Sequence, residues 1–192
     1  MNKIHWDGSS LLAPVPAALI TCGSGDKTNV FTVAWTGIIC SKPAKTYISV
    51  RPSRYSYELI KETREFTINL TNTELVRAVD KCGVISGRDG DKFAACGITS
   101  APGNKVSCPQ VGESPISLEC RVTDIIPLGS HDMFLADIVG VEVGEKYIDK
   151  SGKLDLSSAG LIAYSHGEYY ALGKKLGYFG FSVKKKRTRR KA

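Results

Sequence analysis

The sequence predicts a mainly β protein, an antiparallel barrel that is closed or split and carries helices on its flank. Segments rich in Val, Ile, Thr and aromatic residues dominate the chain, and these residue types favour strands. Leu118, Cys120 and Val122 alternate with polar residues, which is typical of a half-buried antiparallel strand. Helical segments do not alternate regularly with strands, so a parallel β–α–β sheet is disfavoured. A barrel fits this pattern better.

The predicted elements follow from residue pattern and turn composition. Strands are predicted over residues 18–23, 30–39, 46–51, 65–70, 116–126 and 133–143, the last two joined by the turn Pro127-Leu128-Gly129. Helices are predicted over residues 53–63, 73–82 and 91–96, the third after a glycine-rich turn at 86–90. Residues 150–181 are rich in Gly and Tyr and are predicted to form turns and loops around a short helix.

The excess of positive charge lies at the C-terminal end. Lys and Arg number 26 against 19 Asp and Glu, a net charge of +7, and Lys184 to Lys191 supply seven of the basic residues. The rest of the chain is electrically balanced and lacks the basic face of a folded nucleic-acid reader. We expect one domain over residues 1–183 and a disordered basic tail over residues 184–192, through which alone nucleic acid or an acidic partner would be bound.

Composition also bears on location and metals. The sequence has no apolar run of about 18 residues, as a membrane span needs, and it starts without the basic and apolar regions of a secretory leader. Its six cysteines show no Cys-x-x-Cys spacing, and its three histidines have no partner at metal-ligand spacing. We expect a cytoplasmic protein with free thiols, no membrane association and no metal site.

Residues 46–56 predict a phosphate-binding site. In a strand, Ser49 and Arg51 share a polar face while Ile48 and Val50 face a core. A helix begins directly after Pro52, which brings two arginines, two hydroxyls and free helix N–H groups to one point: Arg51, Arg54, Ser53 and Ser56. An ordinary helix start whose arginines pair with surface acids is the alternative. No Walker sequence or complete dinucleotide fingerprint occurs elsewhere in the chain.

Residues 30–36 predict a strand with one face of small side chains. Thr32, Ala34 and Thr36 share this face, opposite Phe31, Val33 and Trp35. A flat ring can lie against such a face and meet backbone N–H and C=O groups. A strand packed wholly in a core is the alternative.

Two histidines lie in predicted bends. His131 follows Gly129-Ser130 between two long strands, and His166 lies in the tyrosine-rich segment 164–170. Either could act on a substrate or serve only a structural hydrogen bond.

The order of these motifs resembles the flavoredoxin-like branch of the flavin reductase family. The resemblance covers residues 10–183 and rests on six motifs: Asn29-x-x-Thr32-Val33-Ala34-Trp35, Ser49-Val50-Arg51-Pro52-x-Arg54-Tyr55-Ser56, Phe66-x-Ile68-Asn69-Leu70, Ser86-Gly87-Arg88-Asp89-x-Asp91-Lys92-Phe93, Gly129-Ser130-His131-Asp132 and Tyr164-Ser165-His166-Gly167-Glu168-Tyr169-Tyr170. Each motif alone is modest, but six in this order are specific to the family.

The resemblance implies an FMN-binding split barrel that works as a homodimer, with each flavin near the subunit interface. Arg51, Arg54 and Ser56 would hold the phosphate with Ser49 close by, and residues 32–35 (Thr32, Val33, Ala34 and Trp35) would line the ring. Asp91 and Lys92 would close over the ribityl or phosphate end. The further cofactor-binding residues that the resemblance implies are Asn29, Val50, Tyr55 and Asn69.

The resemblance also implies a reaction. His131 is the candidate catalytic residue, and it would border the face on which a second reactant stacks, together with Tyr164, His166 and Tyr170. The expected activity is hydride transfer between NAD(P)H and flavin, with onward delivery of electrons to a small molecule or a protein. The alternative is an electron-transfer carrier that holds FMN tightly and does not oxidise NAD(P)H.

Overall fold

The computed structural model describes residues 1–183, so the basic tail predicted over 184–192 lies outside the described residues. In chain order the strands are β1 Val15–Pro16, β2 Ala18–Ser24, β3 Lys27–Val33, β4 Thr36–Ser41, β5 Ala44–Val50, β6 Glu65–Asn69, β7 Ser100–Ala101, β8 Gln110–Val111, β9 Ile116–Pro127, β10 Asp132–Val143, β11 Ile162–Ser165 and β12 Glu168–Ala171. The helices are α1 Tyr55–Thr63, α2 Val76–Val84 and α3 Lys92–Cys96. Short 3₁₀ turns lie at Glu145–Tyr147, Leu156–Ser158 and Phe181–Val183.

Seven strands form one antiparallel sheet in the order β3-β2-β6-β9-β10-β5-β4. The sheet curves without pairing β3 to β4, so the barrel is split rather than closed. A small sheet β1-β11-β12 and the β7-β8 pair complete the fold. The predicted mainly β class with flanking helices is confirmed.

The sheet is covered on two sides by separate apolar clusters. The barrel interior holds Ile20, Ile48, Phe66 and Phe134, all fully buried, and α1 packs onto it through Ile60. Outside the barrel, α2 and α3 cover the other face of β2 and β3. The buried side chains of this second cluster include Leu19, Val30, Val79, Cys82 and Phe93. Because successive residues of a strand face opposite sides, β2 and β3 contribute to both clusters. The helices α2 and α3 are thereby held beside the end of β3.

The predicted elements are present, with three differences. The strand predicted over 30–39 is interrupted at Ala34 and Trp35, where β3 ends and β4 begins. The second helix starts at Val76 rather than at 73, because the side chain of Asn72 accepts the backbone N–H of Leu75 at 3.1 Å and holds 73–75 in a turn. The expectation of turns and a short helix over 150–181 was wrong in part, since the hairpin β11-β12 lies there.

No helix among residues 1–183 has both the length and the apolar character that crossing a membrane requires.

Candidate functional site

Three neighbouring cavities surround α2. The central cavity, about 510 Å³, lies between the end of β3, the end of β5 and α2. The basic cavity, about 460 Å³, lies at the start of α1 and is bordered by the loop between α2 and α3. These two cavities share Phe31, Arg51, Arg54 and Val84, so they form one continuous groove. The lateral cavity, about 950 Å³, lies on the other side of α2, beside α3 and the β11-β12 turn.

The basic cavity gathers four cations: Arg51, Arg54, Arg88 and Lys92. Within residues 1–183 the ion pairs are Lys45–Asp137, Lys61–Glu58 and Arg121–Glu65, so none of the four cations of the cavity is paired with a carboxylate there. Arg54, Arg88 and Lys92 instead donate to backbone carbonyls. Arg54 Nη1 donates to Gly83 at 3.3 Å, and Arg88 Nη1 donates to Ser53 at 3.3 Å. In the described residues, therefore, Arg51 and Arg54 do not pair with surface acids, as the alternative interpretation of this helix start would require.

Lys92 is the buried member of this set. Only 4% of its surface is exposed, and its Nζ donates to the carbonyl of Cys82 at 2.7 Å. Burial, with the charge of Arg54 nearby, lowers the pKa of Lys92. A buried ammonium group without a carboxylate is costly, and an anion in the basic cavity would supply the missing charge.

Helix α1 begins at the floor of the basic cavity. Its N-cap residue, Arg54, is extended, and no side chain of the described part of the chain caps the helix. Ser56, fully buried in the first turn, accepts the side-chain amide of Asn29 at 2.7 Å. Gly87 closes over this pair, since a Cβ there would lie only 2.6 Å from Oδ1 of Asn29. Free N–H groups at a helix start favour anions.

The break between β3 and β4 shapes the central cavity. Strand alternation places Trp35 on the same face as Phe31 and Val33, both of which are buried, whereas Trp35 is 44% exposed at the cavity. The reason is that the strand stops at Val33, so the period of two does not continue. The carbonyl of Trp35 accepts the backbone N–H of Ser49 at 3.0 Å, which fixes the break against β5.

His131 packs on Trp35 at the mouth of the central cavity. The two ring centroids are 4.5 Å apart, and the ring planes are inclined by 40°. Nδ1 of His131 shares a hydrogen bond of 2.9 Å with the hydroxyl of Ser130. Burial, and then the charges of Arg51 and Arg54, lower the pKa of His131. The imidazole is therefore neutral near pH 7, where its ordinary pKa of about 6.5 already favours that form.

Most of the residues predicted from the sequence meet in this groove. The central cavity is lined by Thr32, Val33, Ala34, Trp35, Ser49, Val50, Arg51, Arg54, His131 and Tyr164. The basic cavity adds Asn29, Tyr55, Ser56 and Lys92. The hydroxyl of Thr32 is already bonded to the carbonyl of Val79, so it ties β3 to α2.

Four predicted residues lie outside both parts of the groove. Asn69 is fully buried and links β2, β6, β8 and β9, donating to the carbonyl of Leu19 at 3.0 Å. Asp91 caps α3 by accepting the N–H of Phe93 at 2.9 Å. His166 lies in the β11-β12 turn, and Tyr170 directs its hydroxyl to Glu168.

The groove also contains residues that were not predicted as site residues, among them Tyr169 and Arg88. Tyr169, next to Tyr170 on β12, faces the central cavity and packs on Tyr164 with ring centroids 5.3 Å apart. Tyr169, rather than Tyr170, faces the cavity because it is paired with Tyr164 in the β11-β12 hairpin. This pairing depends on the strand register, which the sequence does not show. Arg88 belongs to the glycine-rich motif at 86–90, and its charge could have marked it.

Fold and groove together define a class: a split antiparallel barrel whose groove has a cationic end and an aromatic end. Residues 11–173 match the flavin reductase like domain family, and the chain belongs to that family. The resemblance stated from the sequence motifs is confirmed.

Three similar proteins illustrate the relationship. The structure of flavoredoxin of Desulfovibrio vulgaris (Miyazaki F) is 32% identical, with a TM-score of 0.87 over 95% of this chain and 100% of that one. An uncharacterized protein of Archaeoglobus fulgidus is 31% identical over 83% of this chain and 88% of its own length. An NADPH-flavin oxidoreductase of Streptomyces viridifaciens is 25% identical over 81% of each chain.

Proposed function

We propose that this chain is an FMN-binding oxidoreductase that transfers hydride between NAD(P)H and the flavin and delivers the electrons onward. The observation that carries the proposal is the continuous groove, which has at one end four cations that pair with no carboxylate of residues 1–183 and at the other the Trp35–His131 pair. FMN has a matching shape, with a phosphate dianion at one end and a flat ring at the other.

The basic cavity fits the phosphate. Arg51, Arg54 and Arg88 supply charge from exposed positions, while Lys92 supplies it from a buried one. Charge-assisted hydrogen bonds to phosphate are among the strongest that side chains make. The phosphate would also accept from free N–H groups at the start of α1, which no side chain of the described residues caps.

The central cavity fits the ring. Ala34 presents a small side chain, and the backbone at 34–35 is interrupted, so that its polar groups lie outside strand pairing except for the carbonyl of Trp35, which accepts from Ser49. When bound, FMN supplies the redox chemistry by taking up hydride from a nicotinamide and passing electrons to an acceptor. The residues of this chain would bind and orient the flavin and shield it from water, and the reaction requires no side-chain acid or base.

His131 and Trp35 are suited to position the second reactant. Both line the central cavity, and a neutral His131 adds no positive charge beside the arginines. The lateral cavity shares Asp80, Val84 and Tyr169 with the central cavity and is also lined by Arg77 and Lys81, so it offers space and positive charge for NAD(P)H.

A second candidate function is electron transfer without direct oxidation of NAD(P)H. Its support is the 32% identity to a flavoredoxin across 95% of this chain. The relationship to an NADPH-flavin oxidoreductase supports the reductase instead. For either function we propose a homodimer that delivers electrons to a small molecule or a protein, and the six free thiols support a reducing, cytoplasmic location.

The visible spectrum of the purified protein tests the proposal. We expect a yellow protein whose heat-released chromophore is FMN, and anaerobic addition of NADH or NADPH should bleach the flavin band. A yellow protein that neither nucleotide bleaches would favour the carrier. A colourless protein that does not take up added FMN would refute both functions.

The cationic end can be tested by Arg51→Ala combined with Arg54→Ala. We expect FMN affinity to fall at least about tenfold, because two charge-assisted contacts are lost, while riboflavin, which lacks the phosphate, should bind nearly as before. His131→Ala should reduce turnover more than FMN retention. Normal FMN affinity in the double variant, measured by flavin fluorescence quenching, would contradict the assignment.

A further inference from the structure

Two thiols on neighbouring helices are in direct contact. The Sγ–H of Cys82, on α2, donates to Sγ of Cys96, at the end of α3, across 3.1 Å. Cys82 is 1% exposed, whereas Cys96 is half-buried and lines the lateral cavity, so Cys96 is the more accessible member of the pair. The other thiols differ: Cys22, Cys108 and Cys120 are fully buried, and Cys40 lies on the edge strand β4.

The chain between these two cysteines forms one side of the groove. Residues 83–95 carry Val84, which borders both parts of the groove, and Arg88 and Lys92, which supply two of the four cations. Two hydrogen bonds already connect α2 with α3 beside the two cysteines. Nζ of Lys92 donates to the carbonyl of Cys82 at 2.7 Å, and Nζ of Lys81 donates to the carbonyl of Ala95 at 2.5 Å.

We propose that Cys82 and Cys96 form a redox modification site, oxidised by a peroxide to a disulfide that fixes residues 83–95 against α2. The two sulfurs need to approach by about 1 Å to reach the bond length of about 2.0 Å. We assign this shift to α3, a short helix of five residues that ends at Gly97.

The oxidation proceeds in two balanced steps. The sulfur of Cys96 attacks one oxygen of hydrogen peroxide, so the O–O bond breaks, one water leaves and Cys96 becomes a sulfenic acid. The sulfur of Cys82 then attacks the sulfur of Cys96, the S–O bond breaks, and the hydroxyl leaves as water with the proton of Cys82. Two thiols are oxidised, and one peroxide is reduced to two waters.

The order of the two steps follows from burial. Burial, and then the hydrogen bond to Cys96, raise the pKa of Cys82 to about 12, so this residue stays a protonated thiol near neutral pH. Cys96 lines a cavity that peroxide can enter. Cys96 is therefore the first residue to be oxidised, and Cys82 is the resolving residue.

The consequence for ligand binding rests on the proposed function. A disulfide across residues 83–95 removes alternative conformations of the segment that carries Arg88 and Lys92. FMN should then bind roughly three- to tenfold more tightly in the oxidised protein, because less conformational freedom is lost on binding. Riboflavin should be nearly unaffected, since it lacks the phosphate that these cations would contact.

The first test uses the full-length protein without added flavin. After treatment with hydrogen peroxide, alkylation of the remaining thiols and peptide mass spectrometry should identify a Cys82–Cys96 cross-link that dithiothreitol reverses. Hydrogen exchange of amides 85–91 should slow by about tenfold in the oxidised protein. Cys96→Ser should lose both effects, whereas Cys40→Ser, which removes a thiol on β4, should retain both. If Cys96→Ser fails to fold, Cys82→Ala serves in its place.

The outcomes separate this inference from the proposed function. No cross-link, a cross-link between other cysteines, or a cross-link without slower exchange would each overturn the inference, whether or not FMN binds. A cross-link with slower exchange in a protein that fails to bind FMN would support the redox site and refute the proposed function. Tighter FMN binding in the oxidised protein, absent for riboflavin and absent in Cys96→Ser, would support both.

Discussion

Lys92 is a buried cation whose closest polar partner is a backbone carbonyl rather than a carboxylate. The sequence motif at 86–93 suggested only that this residue closes over one end of a ligand. Its burial beside Arg54 adds a physical reason, because desolvation, and then repulsion by Arg54, lower its pKa, and a bound anion would offset both.

Lys92→Met tests this reasoning. We expect FMN affinity to fall by about ten- to a hundredfold, the value of one charge-assisted contact to phosphate. The ligand-free protein should be as stable as the parent or more stable by about 1 kcal/mol, since an unpaired buried charge is removed. Fluorescence titration and urea unfolding measure the two effects.

Lys81→Met is the matched control for Lys92→Met. Lys81 also donates to a backbone carbonyl between α2 and α3, but it does not line the basic cavity. Its replacement should leave FMN affinity unchanged. Equal losses of affinity in the two variants would show that the helix pair, rather than the buried charge, determines binding.

His131 makes stability depend on pH in a defined direction. Its folded-state pKa is lowered by burial, Arg51 and Arg54, so below its ordinary value the unfolded chain binds more protons at this position than the folded one. The free energy of unfolding therefore rises with pH through the window below about 6.5 and is no longer reduced by His131 above it.

Urea unfolding at about pH 5.5 and about pH 7.5 checks this direction. The parent should gain more stability between the two conditions than His131→Gln. His5→Gln, which changes an exposed residue near the N terminus, should behave like the parent. If His131→Gln shows the full pH dependence of the parent, other groups cause it.

At the scale of elements, the loop after α2 is fitted closely onto β3 and α1. A Cβ at Gly87 would lie 2.6 Å from Oδ1 of Asn29 and 2.5 Å from Cδ1 of Tyr55. On the same loop, the guanidinium of Arg88 lies 5.7 Å from the centre of the Tyr55 ring. The position of Arg88 in the basic cavity therefore depends on the absence of a side chain at the preceding residue, Gly87.

Gly87→Ala should displace this loop. We expect a loss of about 1 to 3 kcal/mol in the free energy of unfolding, typical of overpacking, together with weaker FMN binding, because Arg88 and the Asn29–Ser56 pair move. Denaturant unfolding and flavin titration measure both. Gly173→Ala is the control, since a Cβ there meets no atom within 4 Å; equal effects at both positions would contradict the argument.

Elements also show where local pattern succeeds and where it fails. The alternation of Ile48 and Val50 against Ser49 predicted the buried face of β5, and both aliphatic residues are buried. The same rule does not extend to Trp35, because β3 ends at Val33 and the alternation does not continue across the break. Alternation also could not predict whether Tyr169 or Tyr170 faces the cavity, because this depends on how β12 pairs with β11.

At the scale of the whole molecule, the edge of the split barrel exposes apolar side chains. Ile38 is 66% exposed and Ile39 is 47% exposed on β4, which ends the seven-stranded sheet. Trp35, directly before this strand, is also exposed at the groove. An unpaired apolar edge supports the proposed homodimer and would bring the flavin site close to the interface.

Ile38→Glu tests the dimer. A carboxylate in an apolar interface should weaken self-association by at least about thirtyfold, a cost of roughly 2 kcal/mol for burying a poorly paired charge. Sedimentation equilibrium measures the change. Leu154→Glu replaces another exposed apolar residue, outside β4, and should leave association unchanged; a parent that sediments as a monomer would refute the dimer itself.

The sequence by itself determined the mainly β class, the positions of the long strands and the cationic start of α1. These features depend on residues close together in the chain, whose periodicity and turn composition are visible without a structure. The placement of Asn69 in a buried network and of Asp91 as a helix cap was decided by tertiary structure.

Tertiary structure alone also decided that the segment 83–95 completes the groove. It brought Asn29 to Ser56, Lys92 to the carbonyl of Cys82, and the thiols of Cys82 and Cys96 into contact. These contacts arise because α2 and α3 pack on the outer face of β2 and β3, and the distance between such surfaces depends on packing rather than on the periodicity of any one segment.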